Sequence, residues 1–452
     1  MDRLMQNAIN TRSRKDRQKY DKNAINLFVL FLVSIVVVSI FYPFTMICFV
    51  TSIQFIYIFY KIFITILGVI CKYRYKEIDA EIKQFFSFTI LIPMYKEPYS
   101  VFTQIRSALS CIDYPEDKLY IKYIIEEDDY GMVEIAKSMS LNKNEQIIIT
   151  PNCHPKTKPK ALNYAMNFVR SDIVSIFDAE DIPSQDYFLT INKIFQTTDY
   201  DILQSNLTFY NYGENLLTQF FKLEYDFYFQ IFLPGLLKTT RFLPLGGTGN
   251  HFKSKALLRL KFWDAYNVTE DMELSVKSYL KNIKIGYANV TIEEEAPLDI
   301  ISWIKQRIRW IKGHVYTYIT NFQLFSYRDF AVHAFLGLGL ISLLMTYLEV
   351  FILTVYLIKS AIVFDHIAFA DSVMDIMKIK LLLIYIASIL QPLILILFGM
   401  SKRSLSNVLI CILYPVYFVL HSISALMSIV ELMKSPYQWN KTTHGISLKV
   451  QQ

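Results

Sequence analysis

Ile173-Val174-Ser175-Ile176-Phe177-Asp178-Ala179-Glu180-Asp181-Ile182-Pro183 is the stretch from which the fold can be read. Its opening run is short and apolar and reads as a buried strand. Three carboxylates in four residues, Asp178, Glu180 and Asp181, then fall where the strand ends and a loop begins. A parallel α/β sheet builds its ligand site at the carboxyl ends of its strands. Acids crowded there repel one another, and a divalent cation offsets that cost. Magnesium or manganese takes oxygen ligands and commonly bridges a carboxylate and a substrate phosphate. Taken alone, residues 177–183 fit a solvated acidic turn equally well.

The pattern repeats on the amino-terminal side. Strands are expected at 88–93, 119–125, 145–150 and 173–177, with helices at 101–111, 133–141 and 159–169. That β-α-β-α order predicts an α/β domain over 85–325, a mostly parallel sheet flanked by helices.

This domain is bracketed by apolar sequence. Residues 1–22 are polar and basic, and Asn23 to Tyr60 holds no charge. A bilayer core of about 30 Å needs about 20 helical residues. The run is too long for one helix and is broken at Tyr42-Pro43, so 23–72 is read as a hairpin of two spans, 24–42 and 44–70. Its apolar part is too long for a cleaved signal peptide. The basic N-terminus and Lys72, Arg74 and Lys76 favour the cytoplasm at both ends. Beyond Arg328, the runs 332–358, 381–401 and 404–430 suggest a membrane region of two to three helices over 331–433, then a tail, 434–452. Three spans would put the tail outside, yet Lys434, Lys441 and Lys449 favour inside. A partly interfacial 404–433, interrupted at Pro415 and softened by His421, Ser422, Ser424 and Ser428, reconciles the two. Glu349 either faces a helix bundle or lies near an interface.

With 53% hydrophobic residues and a net charge of only +6, the chain is not a disordered or nucleic-acid-coating protein. Five cysteines without CxxC or zinc spacing argue against a disulfide framework and for a reducing, cytosolic face. Abundant Ile, Lys and Asn hint at a bacterial source.

Further polar patches follow the strands. Pro93-Met94-Tyr95-Lys96-Glu97-Pro98 follows the first, and Glu126-Glu127-Asp128-Asp129 the second. His154-Pro155-Lys156-Thr157-Lys158-Pro159-Lys160 leads into a helix, and Thr269-Glu270-Asp271 follows Trp263-Asp264. A basic loop at a helix N-terminus suits phosphate. Acids beside it suit a metal that clamps a diphosphate. Each patch alone could be a charged surface loop; their shared placement makes the set informative.

The order Pro93-x-Tyr95-Lys96-Glu97, Lys160-Ala161-x-Asn163, Asp178-Ala179-x-Asp181, Thr269-Glu270-Asp271 and Gln306-x-x-Arg309-Trp310 resembles membrane-integrated family 2 glycosyltransferases, the group of cellulose, hyaluronan and chitin synthases. The resemblance runs from about 88 to 313 and extends to the flanking membrane segments. It implies a GT-A fold and a nucleotide-sugar donor, most often a UDP-sugar. It implies that Pro93, Tyr95, Glu97 and Asp128 hold the uridine and that Lys160 lies near the diphosphate. Asp178 would open a metal-binding DxD motif for Mg2+ or Mn2+, with Glu180 or Asp181 as second ligand. Asp271 would be the catalytic base, and Gln306, Arg309 and Trp310 would hold the acceptor end and donor diphosphate.

Physical chemistry agrees. Glycosyl transfer to a hydroxyl needs a base for the acceptor proton and stabilisation of the leaving diphosphate. One base and no evident second nucleophile suggest a single in-line displacement that inverts the anomeric centre. Arg309 offers a fork for phosphate, and Trp310 offers a flat face for a sugar or an interfacial anchor. Leu245-Gly246-Gly247-Thr248-Gly249-Asn250-His251-Phe252 permits close backbone approach. By resemblance it lines the acceptor pocket, with Gly247, His251 and Glu270 as acceptor residues, although His251 could equally be structural. The tail Trp439-x-Lys441-Thr442-x-His444-Gly445 resembles a stretch of some bacterial relatives.

The expectation is therefore an inverting multi-pass enzyme of the bacterial inner membrane, with a cytosolic catalytic domain. It would move sugar to a saccharide or glycolipid acceptor amid membrane lipids, without nucleic acid. Its product would be a β-linked polysaccharide or a single transfer to a lipid-linked acceptor. A non-catalytic scaffold and a channel are the rivals; the first must explain intact Asp178, Asp271 and Arg309, the second a large domain rich in strand-end acids.

Overall fold

The structure is a computed structural model. It describes residues 14–74, 80–327, 329–339 and 405–438, with isolated positions between 344 and 397. The expected spans at 332–358 and 381–401 lie largely outside the described residues, as do Glu349, Lys76, the residues before 14 and the tail from Trp439. The described residues divide into two compact units, 67–306 with 437–438, and 14–66 with 307–436.

The first unit is built on a sheet of eight strands: β1 Phe88–Met94, β2 Leu119–Glu126, β3 Glu145–Thr150, β4 Ile173–Ile176, β5 Ile182–Pro183, β6 Ile202–Phe209, β7 Asn250–Lys253 and β8 Ile285–Glu294. Their order is β3-β2-β1-β4-β7-β6-β8-β5. The four strands read from sequence pair in parallel, with Phe88 opposite both Leu119 and Ile173. β7 runs antiparallel between β4 and β6, β8 is parallel to β6, and β5 is antiparallel to β8. Parallel pairings thus predominate, and β7 lets the sheet extend past the acidic turn.

Phe88, Ile90, Leu91 and Ile92 have no exposed surface, the mark of a strand covered on both faces. The helix Tyr99–Ser110 contributes Val101, Phe102, Ile105 and Leu109 at helical spacing. Thr157 caps the helix Lys158–Ala165, with proline in its first turn, which fixes where the lysine-rich loop becomes helical. Gly249 adopts φ +64°, and a Cβ there would lie 3.1 Å from Leu207. Only glycine takes that backbone at low cost. At the unit's start, Gly68 packs so closely that a Cβ would fall 1.9 Å from the Ile231 carbonyl oxygen, and Lys72 donates to Gln230 at 2.8 Å.

In the second unit, Tyr316 donates to Asp21 at 2.7 Å and Lys312 pairs with Glu431 at 3.2 Å. Among the described residues of the chain, three helical stretches are long and apolar enough to cross a membrane: Asp21–Phe41, Pro43–Lys72 and Ile410–Lys434. The residues of the expected hairpin form the helices Arg14–Phe41 and Pro43–Arg74, and backbone bonds cross the junction, with the Tyr42 N–H donating to the Val38 carbonyl at 2.9 Å and the Met46 N–H to the Tyr42 carbonyl at 3.1 Å. The expected break at Pro415 is not: Leu405–Lys434 is one helix with that proline inside it. An apolar helix tolerates proline when neighbouring groups take up the freed carbonyl.

Candidate active site

The acidic turn is organised from within. Asp181 is fully buried, and its Oδ2 accepts the Asp178 backbone N–H at 2.8 Å and the Thr248 hydroxyl. Thr248 Oγ1 also lies 3.2 Å from the Ile176 carbonyl oxygen and from the Asp178 nitrogen. Asp181 therefore sets the turn, and Asp178 is the acid it presents: the Asp178 side chain is 33% exposed, whereas Glu180 is 8% exposed.

The lysine loop delivers a different residue from the one expected. Lys160 points inward, 3% exposed, and its ammonium pairs with Glu126 at 2.5 Å and donates to the Pro151 carbonyl at 3.1 Å. Lys160, expected near the diphosphate, is here engaged in this interior pair, which replaces water for two buried charges. Lys158 is the residue that reaches the acidic turn. Its ammonium pairs with Asp178 Oδ1 and donates to the Gly247 carbonyl at 2.7 Å. Lys156 pairs with Asp128. Asn163 clasps the next loop by donating to the Trp263 carbonyl at 2.9 Å and accepting the Trp263 N–H at 3.1 Å. Thr157 donates to the Ala265 carbonyl at 2.8 Å. These bonds tie the lysine helix to the segment that leads into Asp271.

Asp271 lies in the first turn of the helix Glu270–Leu280, where the helix dipole favours acids. Ser275 donates to the Asp271 carbonyl at 2.9 Å and accepts the Leu245 N–H at 2.8 Å, joining this helix to the glycine loop. Gln204 accepts the Gly246 N–H at 2.7 Å. A Cβ on Gly247 would lie 4.0 Å from both Asp271 Oδ2 and Lys158 Nζ. Gly247 is thus the point at which Asp271, Lys158 and, through Lys158, Asp178 converge.

The other expected residues are distributed as follows. Pro93 is the penultimate residue of β1, opposite Ile124, and the Lys96 ammonium stands 5.2 Å from the Tyr95 ring centroid. Glu97 is buried. Lys96 takes φ +53°, held by its N–H donating to Asp129 at 2.5 Å; Asp129 also caps the helix Tyr130–Ser138. The hydrogen bond from Lys156 holds the Asp128 carboxyl below its ordinary range. Gln306 lies in the first unit, Arg309 and Trp310 in the second, all on the helix Ile300–Asn321. The Arg307 guanidinium lies 4.6 Å from the Trp310 ring centroid, a cation–π partner absent from the sequence reading.

His251 is fully buried on β7, with Nδ1 2.7 Å from the Ser175 hydroxyl and Nε2 2.8 Å from Tyr187. Both ring nitrogens are engaged inside the sheet, which fits the structural alternative stated for it. Burial lowers its pKa to about 3, which keeps it neutral.

The site's electrostatics come from crowded acids. Burial and then Asp178 push Glu180 up to about 8. Burial, then Asp178 and Glu180, raise Asp181. Glu294, at the end of β8, is raised by burial and then by Asp181, Asp178 and Glu180; sequence reading missed it because β8 was not identified. Burial opposes the Lys158 charge, but Asp178 and Glu270 outweigh it and raise its pKa. Asp181 Oδ1 and Glu294 Oε1 are buried and accept no hydrogen bond among the described residues. Among those residues no three His, Cys, Asp or Glu side chains form a metal cage. Hard oxygen donors, fewer than a full set and partly unsatisfied, fit an ion of the magnesium or manganese type that draws its remaining ligands from a phosphate and water.

A family profile described as glycosyltransferase like family 2 matches residues 86–313, just over half of the chain. A probable glucomannan 4-beta-mannosyltransferase 3 of Oryza sativa subsp. japonica is 28% identical over 233 residues, 50% of this chain and 42% of that protein. The probable glycosyltransferase YdaM of Bacillus subtilis (strain 168) is 25% identical over 234 residues, 50% of this chain and 55% of that protein. The chain thus spans about half the length of these curated relatives. The solved structure of the mannosyltransferase PcManGT from Pyrobaculum calidifontis, in complex with GDP-Man and Mn2+, superposes with a TM-score of 0.52. It is 15% identical, and the alignment covers 83% of this chain and 99% of that one. The likeness is one of fold, and the GT-A-like expectation is met.

Proposed function

Because the chain belongs to glycosyltransferase like family 2, we propose that it is an inverting membrane glycosyltransferase that adds sugar from a nucleotide sugar to a saccharide acceptor, building a β-linked polysaccharide. The convergence of Asp178, Lys158 and Asp271 about Gly247 carries this reading. Transfer needs a charged pocket for the diphosphate beside a base for the acceptor hydroxyl, and these residues supply both in one place.

In this reading Asp271 takes the acceptor proton, worth about 10²–10⁴-fold for a positioned base. Asp178 and Glu180 would hold a divalent cation, which neutralises charge growing on the leaving diphosphate. Asp181 orients Asp178. Tyr95, Glu97 and Asp128, on the loops after β1 and β2, would hold the nucleoside, and Gln306, Arg309 and Trp310 the acceptor end. With no second nucleophile assigned, displacement is direct and the anomeric centre inverts. Three apolar helices support a membrane location, and the basic residues that flank the apolar segment 23–70 favour the cytosol for the catalytic unit.

The relatives named as mannosyltransferases, one solved with GDP-Man and Mn2+, make GDP-mannose the donor to try beside UDP-sugars. The test is release of nucleoside diphosphate from a panel of both by the full-length protein in detergent, with Mn2+ or with chelator, followed by sizing of the product. Metal-dependent turnover of one donor into a polymer is expected. A single added sugar would overturn the polysaccharide, and no binding of any nucleotide would overturn the enzyme reading.

A further inference from the structure

Each lysine of the Lys156-Thr157-Lys158-Pro159-Lys160 loop meets a different acid. Lys160 is committed to Glu126 in the interior, and Lys156 to Asp128 beside the loop after β2. Lys158 alone of the three touches Asp178, the most exposed acid of the turn. Its side chain is 11% exposed, and two of its three N–H donors go to the Asp178 carboxylate and the Gly247 carbonyl. A cation placed there occupies the carboxylate that a divalent ion would need.

We infer that Lys158 is an exchanging cation: it neutralises Asp178 while the site is empty, and turns to the donor's phosphate oxygens when a nucleoside diphosphate sugar binds, freeing Asp178 for the divalent ion. This deepens the reading given under Proposed function and rests on it. The flexible four-carbon stem permits the swing without backbone motion. The Gly247 carbonyl gives the ammonium a fixed partner beside Asp271. In the empty site the exchange keeps crowded carboxylates from standing without a counter-charge. It also delays metal capture until the donor arrives. No covalent bond is made or broken.

The test is Lys158→Met in the full-length protein in detergent, reading equilibrium binding rather than activity. Without nucleotide, Mn2+ should bind the variant about tenfold more tightly than the wild type, because a competing cation has been removed. With Mn2+ saturating, GDP or UDP should bind the variant about tenfold more weakly, because a charge-assisted phosphate contact is lost. Opposite shifts in the two affinities mark an exchange. A residue that merely supports the fold would weaken both. Mn2+ affinity unchanged or weakened in the nucleotide-free variant overturns the inference, as does unaltered GDP and UDP affinity. Lys158→Gln repeats the measurement should the Met variant unfold. If neither neutral variant folds, the pair is structural and the inference fails. Wild-type protein that binds neither GDP nor UDP in Mn2+ fails the glycosyltransferase reading instead, so the two failures are distinguishable.

Discussion

Asp181 accepts the backbone N–H of Asp178 at 2.8 Å, through the same oxygen that takes the Thr248 hydroxyl. One acid of the motif therefore positions another. Asp181→Ala should weaken Mn2+-dependent nucleotide binding by about 10–100-fold, the cost typical of losing an outer-shell partner. Asp181→Asn keeps an acceptor oxygen and should retain most of the affinity, whereas Asp178→Asn should not. Equal losses in the two Asn variants, measured by calorimetry, would make Asp181 a ligand in its own right.

Lys160 and Glu126 form a buried pair at 2.5 Å. Lys160→Met strands the Glu126 charge and should destabilise the protein by about 3–5 kcal/mol in urea unfolding. The double variant Glu126→Leu/Lys160→Met should recover most of that loss. A Lys160→Met protein of normal stability that binds nucleotide weakly would return Lys160 to the diphosphate.

Asn163 holds the Trp263 backbone by two hydrogen bonds, and that loop leads to Asp271. Asn163→Ala leaves both Trp263 groups without partners and should cost about 1–3 kcal/mol. Turnover should fall while nucleotide affinity stays near wild type. A reduced affinity with unchanged turnover would contradict the link from Asn163 to Asp271.

His251 carries the clearest pH signature. Its folded pKa, about 3, lies below the ordinary histidine value, so the unfolded chain binds the proton first as pH falls. Stability from keeping it neutral is full above pH of about 6.5 and is lost progressively as pH drops towards its folded value, at up to about 1.4 kcal/mol per pH unit. Unfolding followed from pH 7 to pH 5 should show a steeper loss in wild type than in His251→Gln. Parallel profiles would mean that His251 is not a buried neutral base.

The residues that make the site differ in how far sequence exposes them. β1 and β4 are legible because parallel strands covered on both faces are mostly apolar, and β2 and β3 because each carries a short apolar run, Tyr123–Ile125 and Ile147–Ile149; the acids of their loops follow directly: Asp128 after β2 and Asp178 after β4. Lys156, Lys158 and Lys160 are not distinguishable by composition or spacing. Their fates part because Thr157 starts the helix at Lys158, and residues two apart on a helix point about 200° from each other. β7 escapes notice because Asn250–Lys253 holds only one large apolar residue; its buried His251 is satisfied by partners far away in sequence. Pro415 misleads because the proline rule drawn from water-exposed helices is relaxed in apolar surroundings.

Asp271, placed beside Gly247 and Lys158, is the residue we propose as the base of a sugar transfer. Asp271→Asn removes the proton acceptor with little change of volume. On whichever donor the wild type turns over, nucleoside diphosphate release should fall by about 10²–10⁴-fold. Affinity for the same nucleotide in Mn2+ should stay within about threefold, since a lost base lowers turnover and leaves ground-state binding intact. Release at the wild-type rate by Asp271→Asn would mean that Asp271 is not the base.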